Sequence, residues 1–142
     1  YTALEKYPIT VDEAQGLNYA ERIAPGKEVT FMHLHASPWE KWIDVAPGFR
    51  LHKTQRDATR LTNFHPDELF DVIYFDAFGP TKQPEMWVPD ILQRVYELGN
   101  EGAILTTYCA KGAVRRMLSA IGYHVERLPG PPGKREMLRA IK

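Results

Sequence analysis

The run FDVIYFD at residues 70–76 constrains the fold of this chain more than any other feature. It is short, rich in β-branched and aromatic residues, and closed by an acid, which is typical of a strand buried in a parallel sheet. A second run of this kind covers residues 103–108, and a helical pattern over residues 90–98, opened by Pro89, lies between the two. Strands that alternate with helices predict an α/β fold with parallel strands and crossover helices.

Local signals place further elements on both sides of this unit. Thr10 followed by Glu13 has the spacing of a capping box and predicts a helix over residues 11–22. Gly122 is a suitable residue to end a helix. The other predicted elements are a strand over residues 49–57, a helix over 111–121, and either a helix or a strand over 28–37.

The chain closes with two strand patterns, at residues 123–128 and 136–141, separated by a Pro- and Gly-rich turn at 129–133. Parallel strands need a crossover of a dozen or more residues, and this turn is too short for one. We therefore expect a hairpin that adds an antiparallel strand to the sheet.

Length and composition favour one globular domain: the chain has 142 residues, of which 44% are hydrophobic and 25% charged. No apolar run is long enough for a membrane helix, and we expect no secretory leader. The single cysteine, Cys109, cannot form an internal disulfide, which favours a cytoplasmic location.

Charge is balanced overall but uneven along the chain. Residues 111–142 contain eight basic and two acidic residues, and the first 110 contain ten basic and sixteen acidic ones. A basic last third could steer RNA toward one face, or it could be a solvated surface, and charge alone favours the solvated surface.

Three acids fall at expected strand ends: Glu5 closes the short run YTALE at residues 1–5, and Asp57 and Asp76 close the runs at 49–57 and 70–76. Ligands of open α/β sheets bind beyond the carboxyl ends of the strands, and a carboxylate there can accept hydrogen bonds from both hydroxyls of a ribose. Each acid alone also fits a surface position, so it is the ordered set that favours a ligand site.

The loop after Asp76 contains Pro80 and Pro84, which stiffen it. Phe78 and Trp87 lie in the same loop. Their flat rings could stack on a nucleic-acid base, or they could pack back on the core.

Four motifs in the sequence resemble those of a known family. They are DVIYFDAFGPTKQPEMW at residues 71–87, TYCAKGAVRR at 107–116, GPPGKREML at 130–138 and LEKYP at 4–8. They occur in the order seen in the MnmC-type tRNA (5-methylaminomethyl-2-thiouridine) methyltransferases, and the similarity spans the chain. The resemblance implies a class I methyltransferase (Rossmann-like) fold, S-adenosylmethionine as the methyl donor, and the aminomethyl group on a wobble uridine of tRNA as the acceptor. A separate enzyme would supply that aminomethyl uridine.

The resemblance also implies roles for single residues. Asp76 would be catalytic and would lie between the cofactor and the substrate amine. The other expected cofactor contacts are Glu5 at the ribose, Asp57 and Ala58 beside the adenine, and Lys6. The expected substrate contacts are Phe78, Pro80, Lys82, Trp87, Lys134 and Arg135, the last two on RNA phosphate.

These roles agree with the chemistry of amine methylation. The nitrogen lone pair must be free and in line with the sulfonium–methyl bond, whereas an aliphatic amine is largely protonated at neutral pH. A carboxylate at a strand end can orient the amine and accept its proton, and positioning supplies much of the remaining effect.

One departure from the family is clear: no Gly-x-Gly motif precedes Glu5. The first strand of the fold and its Gly-rich turn would lie in mid-sheet, between the strands that end at Glu5 and Asp76. We therefore expect residues 1–142 to be a methyltransferase domain that is incomplete at its N-terminal side, with a gap in the sheet and no useful cofactor affinity or activity alone. The flavin-dependent oxidase domain of some members is not found in this sequence.

Other residues carry weaker signals. His33 and His35 with the distant Cys109 fall short of a zinc signature, so we expect no metal. Trp39 and Trp42 are typical of a small satellite core rather than a cation-binding cage. Two alternative functions stay open, namely a non-catalytic RNA-binding module and a methyltransferase of the same fold acting on another RNA or a small amine.

Overall fold

The computed structural model describes all residues from Tyr1 to Lys142. The chain divides into two compact units, Tyr1–Ala58 and Thr59–Lys142, each with its own β-sheet. No helix combines the length and the apolar character needed to span a bilayer.

The sheet of the first unit has three strands, β1 (Thr2–Glu5), β2 (Trp42–Ala46) and β3 (Phe49–Gln55), in the order β1-β3-β2. β1 runs parallel to β3, and Glu5 lies opposite Gln55 in the register. β2 is antiparallel to β3, and the sequence did not predict it. Its five residues include a charged one and it lies at the sheet edge, so neither hydrophobicity nor length marks it.

Three short helices complete the first unit: α1 (Val11–Gln15), α2 (Tyr19–Ile23) and α3 (Glu28–Ala36). The predicted capping box is confirmed, since the Glu13 N–H donates to Thr10 Oγ1 at 3.2 Å and the Thr10 N–H donates to Glu13 Oε2 at 2.7 Å. A single helix over 11–22 was wrong, because α1 ends at its C-cap Gly16 and α2 starts after Asn18. For residues 28–37, the structure selects the helix.

The sheet of the second unit has four strands, β4 (Phe70–Tyr74), β5 (Gly99–Thr107), β6 (His124–Pro129) and β7 (Glu136–Ile141), in the order β4-β5-β7-β6. β4 and β5 are parallel, whereas β6 and β7 form the predicted antiparallel hairpin. Two helices, α4 (Pro89–Glu97) and α5 (Gly112–Ile121), follow β4 and β5 respectively, and Gly122 ends α5 with φ 128°. Short 3-10 segments cover Ala58–Asn63 and Pro84–Trp87.

The core of the second unit lies between its sheet and these two helices. Its most deeply buried side chains are Leu92, Val95, Leu105, Val114, Leu118 and Leu138. The apolar faces of α4 and α5 supply four of these six side chains, which explains why the helical pattern of both segments could be recognised in the sequence.

The prediction for residues 70–76 needs correction. The strand is parallel as expected, but it ends at Tyr74, and Val72 and Tyr74 are 47% and 66% exposed. β4 pairs only with β5, so one of its edges carries no strand. β1, likewise an edge strand, belongs to the other sheet. The two strands between which the sequence places the gap are thus not in one sheet.

Candidate active site

Two acids meet at the carboxyl ends of β1 and β3 in the first unit. The parallel pairing continues just beyond the strands, where the Arg56 N–H donates to the carbonyl oxygen of Glu5 at 3.1 Å. Oε1 of Glu5 accepts the Tyr7 N–H at 2.8 Å, whereas Oε2 forms no hydrogen bond and the side chain is exposed. Glu5 is therefore held in place with one oxygen left to accept from a ligand hydroxyl.

Lys6 and Asp57 form an ion pair at this end of the sheet, with Nζ and Oδ2 2.8 Å apart. The hydrogen bond that Lys6 donates to Asp57 raises the pKa of Lys6 above its usual value. The Lys6 ammonium thus holds the Asp57 carboxylate in the structure, and its contact with a cofactor stays a prediction. Ala58 follows directly and opens a 3-10 segment.

This cluster fits the adenosyl end of the expected cofactor better than the methionine end. Glu5 presents an unused carboxylate oxygen, as a ribose requires. A Gly-rich cradle would need a glycine with positive φ between a parallel strand and a helix. The glycines with positive φ are Gly26, Gly48, Gly102, Gly122 and Gly133, and none of them occupies such a turn.

Asp76 lies two residues beyond β4 in the second unit. Its side chain is exposed and forms neither an ion pair nor a hydrogen bond. The preceding residue is anchored, since the Phe75 N–H donates to the carbonyl of Thr106 at 2.8 Å and the Phe75 ring is buried. The carboxylate is therefore unpaired and available to a ligand.

The loop after Asp76 is held by hydrogen bonds around Phe78. The Phe78 N–H donates to Oε1 of Gln83 at 3.1 Å, and Nε1 of Trp87 donates to the Phe78 carbonyl at 2.7 Å. A turn centred on Pro80 is closed by the Lys82 N–H on the Gly79 carbonyl at 2.8 Å. The Phe78 ring is 76% exposed, as a stacking surface requires, and Lys82 is exposed as well.

Trp87 does not offer the open ring face that the sequence suggested. It is 4% exposed and packs edge-to-face on Phe75, with ring centroids 5.1 Å apart. The ring is large enough to fill the space under the loop, which removes it from the set of direct base contacts. Its indole N–H instead supports the Phe78 backbone.

The four basic residues of the β6–β7 hairpin and its turn separate into two groups. The ion pairs Arg139–Glu126 and Arg127–Glu136 lie along the β6–β7 hairpin and use its two acids. Lys134 and Arg135, in the hairpin turn, are exposed and form no ion pair. The Lys134 ammonium lies 5.2 Å from the centroid of the Tyr108 ring, just past β5, so this turn approaches the carboxyl end of the sheet.

Sequence reasoning missed the side chains that fix the loop. Gln83 was not singled out, nor was the hydrogen bond from Nζ of Lys111 to Oγ1 of Thr81 at 2.6 Å. The Lys111–Thr81 contact joins segments that follow different strands, and the Gln83–Phe78 contact depends on the conformation of one loop, so no local spacing reveals either of them.

The weaker candidates are also placed. His33 and His35 lie in α3, where residues two apart point to different sides of a helix, and His35 packs on Phe31. No group of three metal-ligating side chains is present in the structure. Trp39 and Trp42 do not form the expected small core. The Lys53 ammonium lies 4.9 Å from the centroid of the Trp39 ring, the Arg50 guanidinium lies 4.9 Å from that of Trp42, and Trp42 is 45% exposed.

Known proteins resemble the chain in sequence and in fold. The tRNA 5-methylaminomethyl-2-thiouridine biosynthesis bifunctional protein MnmC of Pseudomonas putida strain GB-1 is 28% identical over 97% of this chain and 21% of its own length. The protein of the same name from Nitrosospira multiformis is 31% identical over 98% of this chain and 23% of its own length. The chain therefore spans about a fifth of the length of these relatives.

The crystal structure of MnmC2 from Aquifex aeolicus superposes with a TM-score of 0.70 at 22% identity, covering 98% of this chain and 41% of that one. This likeness confirms the class I methyltransferase-like fold. The model of a family described as S-adenosyl-L-methionine-dependent methyltransferase matches residues 33–142. Because that match covers well over half of the chain, the protein belongs to this family of S-adenosylmethionine-dependent methyltransferases.

Proposed function

We propose that the protein methylates the aminomethyl group on a modified wobble uridine of tRNA, with S-adenosylmethionine as the donor. The observation that carries the proposal is Asp76, an unpaired, exposed carboxylate that follows a parallel strand and opens a loop held by hydrogen bonds. The names of these relatives, which refer to 5-methylaminomethyl-2-thiouridine, support the choice of substrate.

The chemistry divides between two groups of side chains. The cofactor, when bound, supplies an electrophilic methyl group. Asp76 orients the substrate amine and accepts the proton that the amine must lose before its lone pair can react. Because no cation pairs with Asp76, a substrate amine can approach its carboxylate directly, which is why the absence of an ion pair at this residue matters.

The proposal also assigns binding roles to residues of each unit. Glu5 accepts from the cofactor ribose, while Lys6 holds Asp57, with Ala58 beside it, at the adenine. Phe78 stacks on a base through its exposed ring, and the Pro80 turn presents Lys82 to the RNA backbone. Lys134 and Arg135 contact phosphate, because they are the exposed basic residues of the hairpin turn without acidic partners.

The proposal includes a cellular setting. Modification of tRNA places the protein in the cytoplasm, and the amine substrate must come from a preceding reaction that installs an aminomethyl group on the uridine. A separate enzyme performs that step.

The test is a transfer assay with the full-length gene product, S-adenosylmethionine labelled in its methyl group, and two tRNA preparations that carry or lack the aminomethyl group. We expect label only in the tRNA that carries the group, at the wobble nucleotide after nuclease digestion. Equal labelling of both preparations would assign the enzyme to another RNA position. Binding of tRNA with no transfer to either would assign the chain to a non-catalytic RNA-binding module.

A further inference from the structure

We infer that Trp87 and Gln83 are positioning residues for Asp76 and Phe78, forming a clamp on the peptide groups around the proposed catalytic carboxylate. The inference rests on the proposed function and adds to it two residues that touch neither substrate nor cofactor. The clamp is defined by the hydrogen bonds from Nε1 of Trp87 to the Phe78 carbonyl and from the Phe78 N–H to Oε1 of Gln83.

Trp87 contacts the chain on both sides of Asp76. Its ring packs edge-to-face on Phe75, the residue before Asp76, at an interplanar angle of 80°. Its indole N–H reaches the carbonyl of Phe78, two residues after Asp76, at 2.7 Å. One buried side chain therefore fixes both ends of the segment 75–78, of which Asp76 is a member.

Gln83 completes the clamp from the opposite side of the same residue. Its own N–H donates to the Gly79 carbonyl at 3.1 Å, so the backbone of Gln83 is held in the turn that its side chain spans. With both the N–H and the carbonyl of Phe78 bonded to side chains, the backbone of this exposed residue has little freedom left. Because the backbone at Phe78 is already ordered before a ligand binds, the entropic cost of binding is lower.

The exposure pattern indicates a role beyond maintaining the fold. A loop that served packing alone would bury its aromatic side chain, whereas here the support is buried and the supported groups face solvent. Trp87 is 4% exposed, and the Phe78 ring is 76% exposed. Such an arrangement presents a carboxylate and a ring in fixed directions, as an in-line transfer requires, because a displacement of about 1 Å can cost on the order of 100-fold in rate.

A third contact ties the loop to α5. Nζ of Lys111, the N-cap residue of α5, donates to Oγ1 of Thr81. Both partners are exposed, so this contact contributes less than the buried indole, and the inference does not depend on it.

The test compares four variants of the full-length gene product in the transfer assay. Trp87→Phe keeps an aromatic ring against Phe75 and removes the Nε1–H donor. Gln83→Met keeps the side-chain length and removes the acceptor, and Gln83→Glu restores an acceptor. The matched control is Gln93→Met on α4, where an exposed amide makes only a 3.4 Å contact to Glu97.

We expect kcat to fall roughly 10- to 100-fold in Trp87→Phe and in Gln83→Met, with the KM for S-adenosylmethionine changing less than about threefold. Gln83→Glu should recover most of the loss, and Gln93→Met should match the wild type. A merely structural role would instead lower the unfolding midpoint and leave kcat per folded molecule unchanged. Equal kcat in all four variants overturns the inference while leaving the proposed function standing. A wild-type protein that transfers no methyl group removes the proposed function and the inference together.

Hydrogen exchange provides a readout independent of activity. The Phe78 amide and the Trp87 indole N–H should exchange slowly in the wild type, because both are bonded. The Phe78 amide should exchange faster in Gln83→Met, and not in Gln93→Met, with the unfolding midpoint unchanged. A Phe78 amide that exchanges at the same rate in both variants contradicts the clamp itself.

Discussion

The two units of the chain differ in how they hold their acids and in how much apolar surface supports them. Of the buried hydrophobic residues, Ala14, Ala20 and Leu51 belong to the first unit and the other sixteen to the second. In the first unit Glu5 and Asp57 are engaged with their own neighbours, whereas Asp76 in the second is unpaired on a loop fixed from beneath. A carboxylate that only binds a ligand can keep a hydrogen bond or an ion pair to a neighbouring residue. A carboxylate that accepts a proton from the substrate must be unpaired, and its backbone must be held in a fixed position.

The largest effect should come from replacing Asp76. Asp76→Asn keeps the shape and removes the base, so kcat for methyl transfer should fall by roughly 100- to 10,000-fold. The unfolding midpoint should stay within error, because the side chain is exposed and has no partner. Steady-state kinetics measures kcat, and a thermal melt measures the unfolding midpoint. Near-normal turnover would show that Asp76 has no part in the mechanism, and the proposed difference between the acids of the two units would then fail.

The difference in core size is tested by a pair of leucines. Leu105→Ala in β5 removes a side chain 1% exposed and should lower the free energy of unfolding by about 2–5 kcal/mol. Leu51→Ala in β3, at 6% exposure, should cost less because few buried apolar residues share its unit. Urea unfolding can be followed by the indole signals of Trp39 and Trp42 for one unit and Trp87 for the other. A larger loss from Leu51→Ala would reverse the comparison.

Lys53 is a charged residue within the small core of the first unit, and its titration should sharpen the contrast. Nζ donates to the carbonyls of Leu34 and His35 at 2.8 Å each, and burial lowers the pKa of Lys53 below its usual 10.5. The unfolded chain then holds this proton to higher pH than the folded one, so the free energy of unfolding should rise as pH increases from the lowered pKa to 10.5.

Lys53→Met removes that alkaline rise and leaves the two carbonyls without their donor, at a cost of about 1–3 kcal/mol near neutral pH. Chemical denaturation at a series of alkaline pH values tests both statements. The same alkaline slope in the variant would show that another group produces it.

The smallest effect should come from Glu5→Gln. The amide retains one acceptor oxygen, so cofactor affinity of the full-length gene product should fall only about tenfold, or 1.4 kcal/mol, with kcat nearly unchanged. Calorimetry with S-adenosylhomocysteine measures the affinity directly. A loss in kcat as large as that of Asp76→Asn would mean that the two acids do not divide binding from chemistry.

The sequence predicted the second unit better than the first, for a physical reason. α4, α5 and the β6–β7 hairpin pack against a continuous core, so their apolar residues recur at a spacing that can be recognised in the sequence. In the first unit α3 has no buried residue, and β2 has five residues of which only Asp44 is charged, so neither segment shows a clear hydrophobic period. The break between α1 and α2 at Gly16 was overlooked because the capping box at Thr10 gave a start and no length.

The positions of the three acids at strand ends could be predicted from the sequence, but the side chains that hold the loop after Asp76 could not. Glu5 is the last residue of β1, and Asp57 and Asp76 each lie two residues beyond a strand, as expected, because a hydrophobic run closed by a charged residue marks a strand end. Trp87 could not be assigned from its type alone, because burial depends on Phe75 lying beside it. The link between Gln83 and Phe78 depends on the loop conformation, which no spacing rule specifies.

The unpaired edge of β4 has a consequence for the behaviour of the 142-residue chain in solution. Its amide groups on that side meet no neighbouring strand, and Val72 and Tyr74 lie open beside them. When the 142-residue chain is produced alone, this edge can pair with strands of other molecules, so the purified chain should aggregate and scatter light as it is concentrated, and Val72→Lys should keep it in solution.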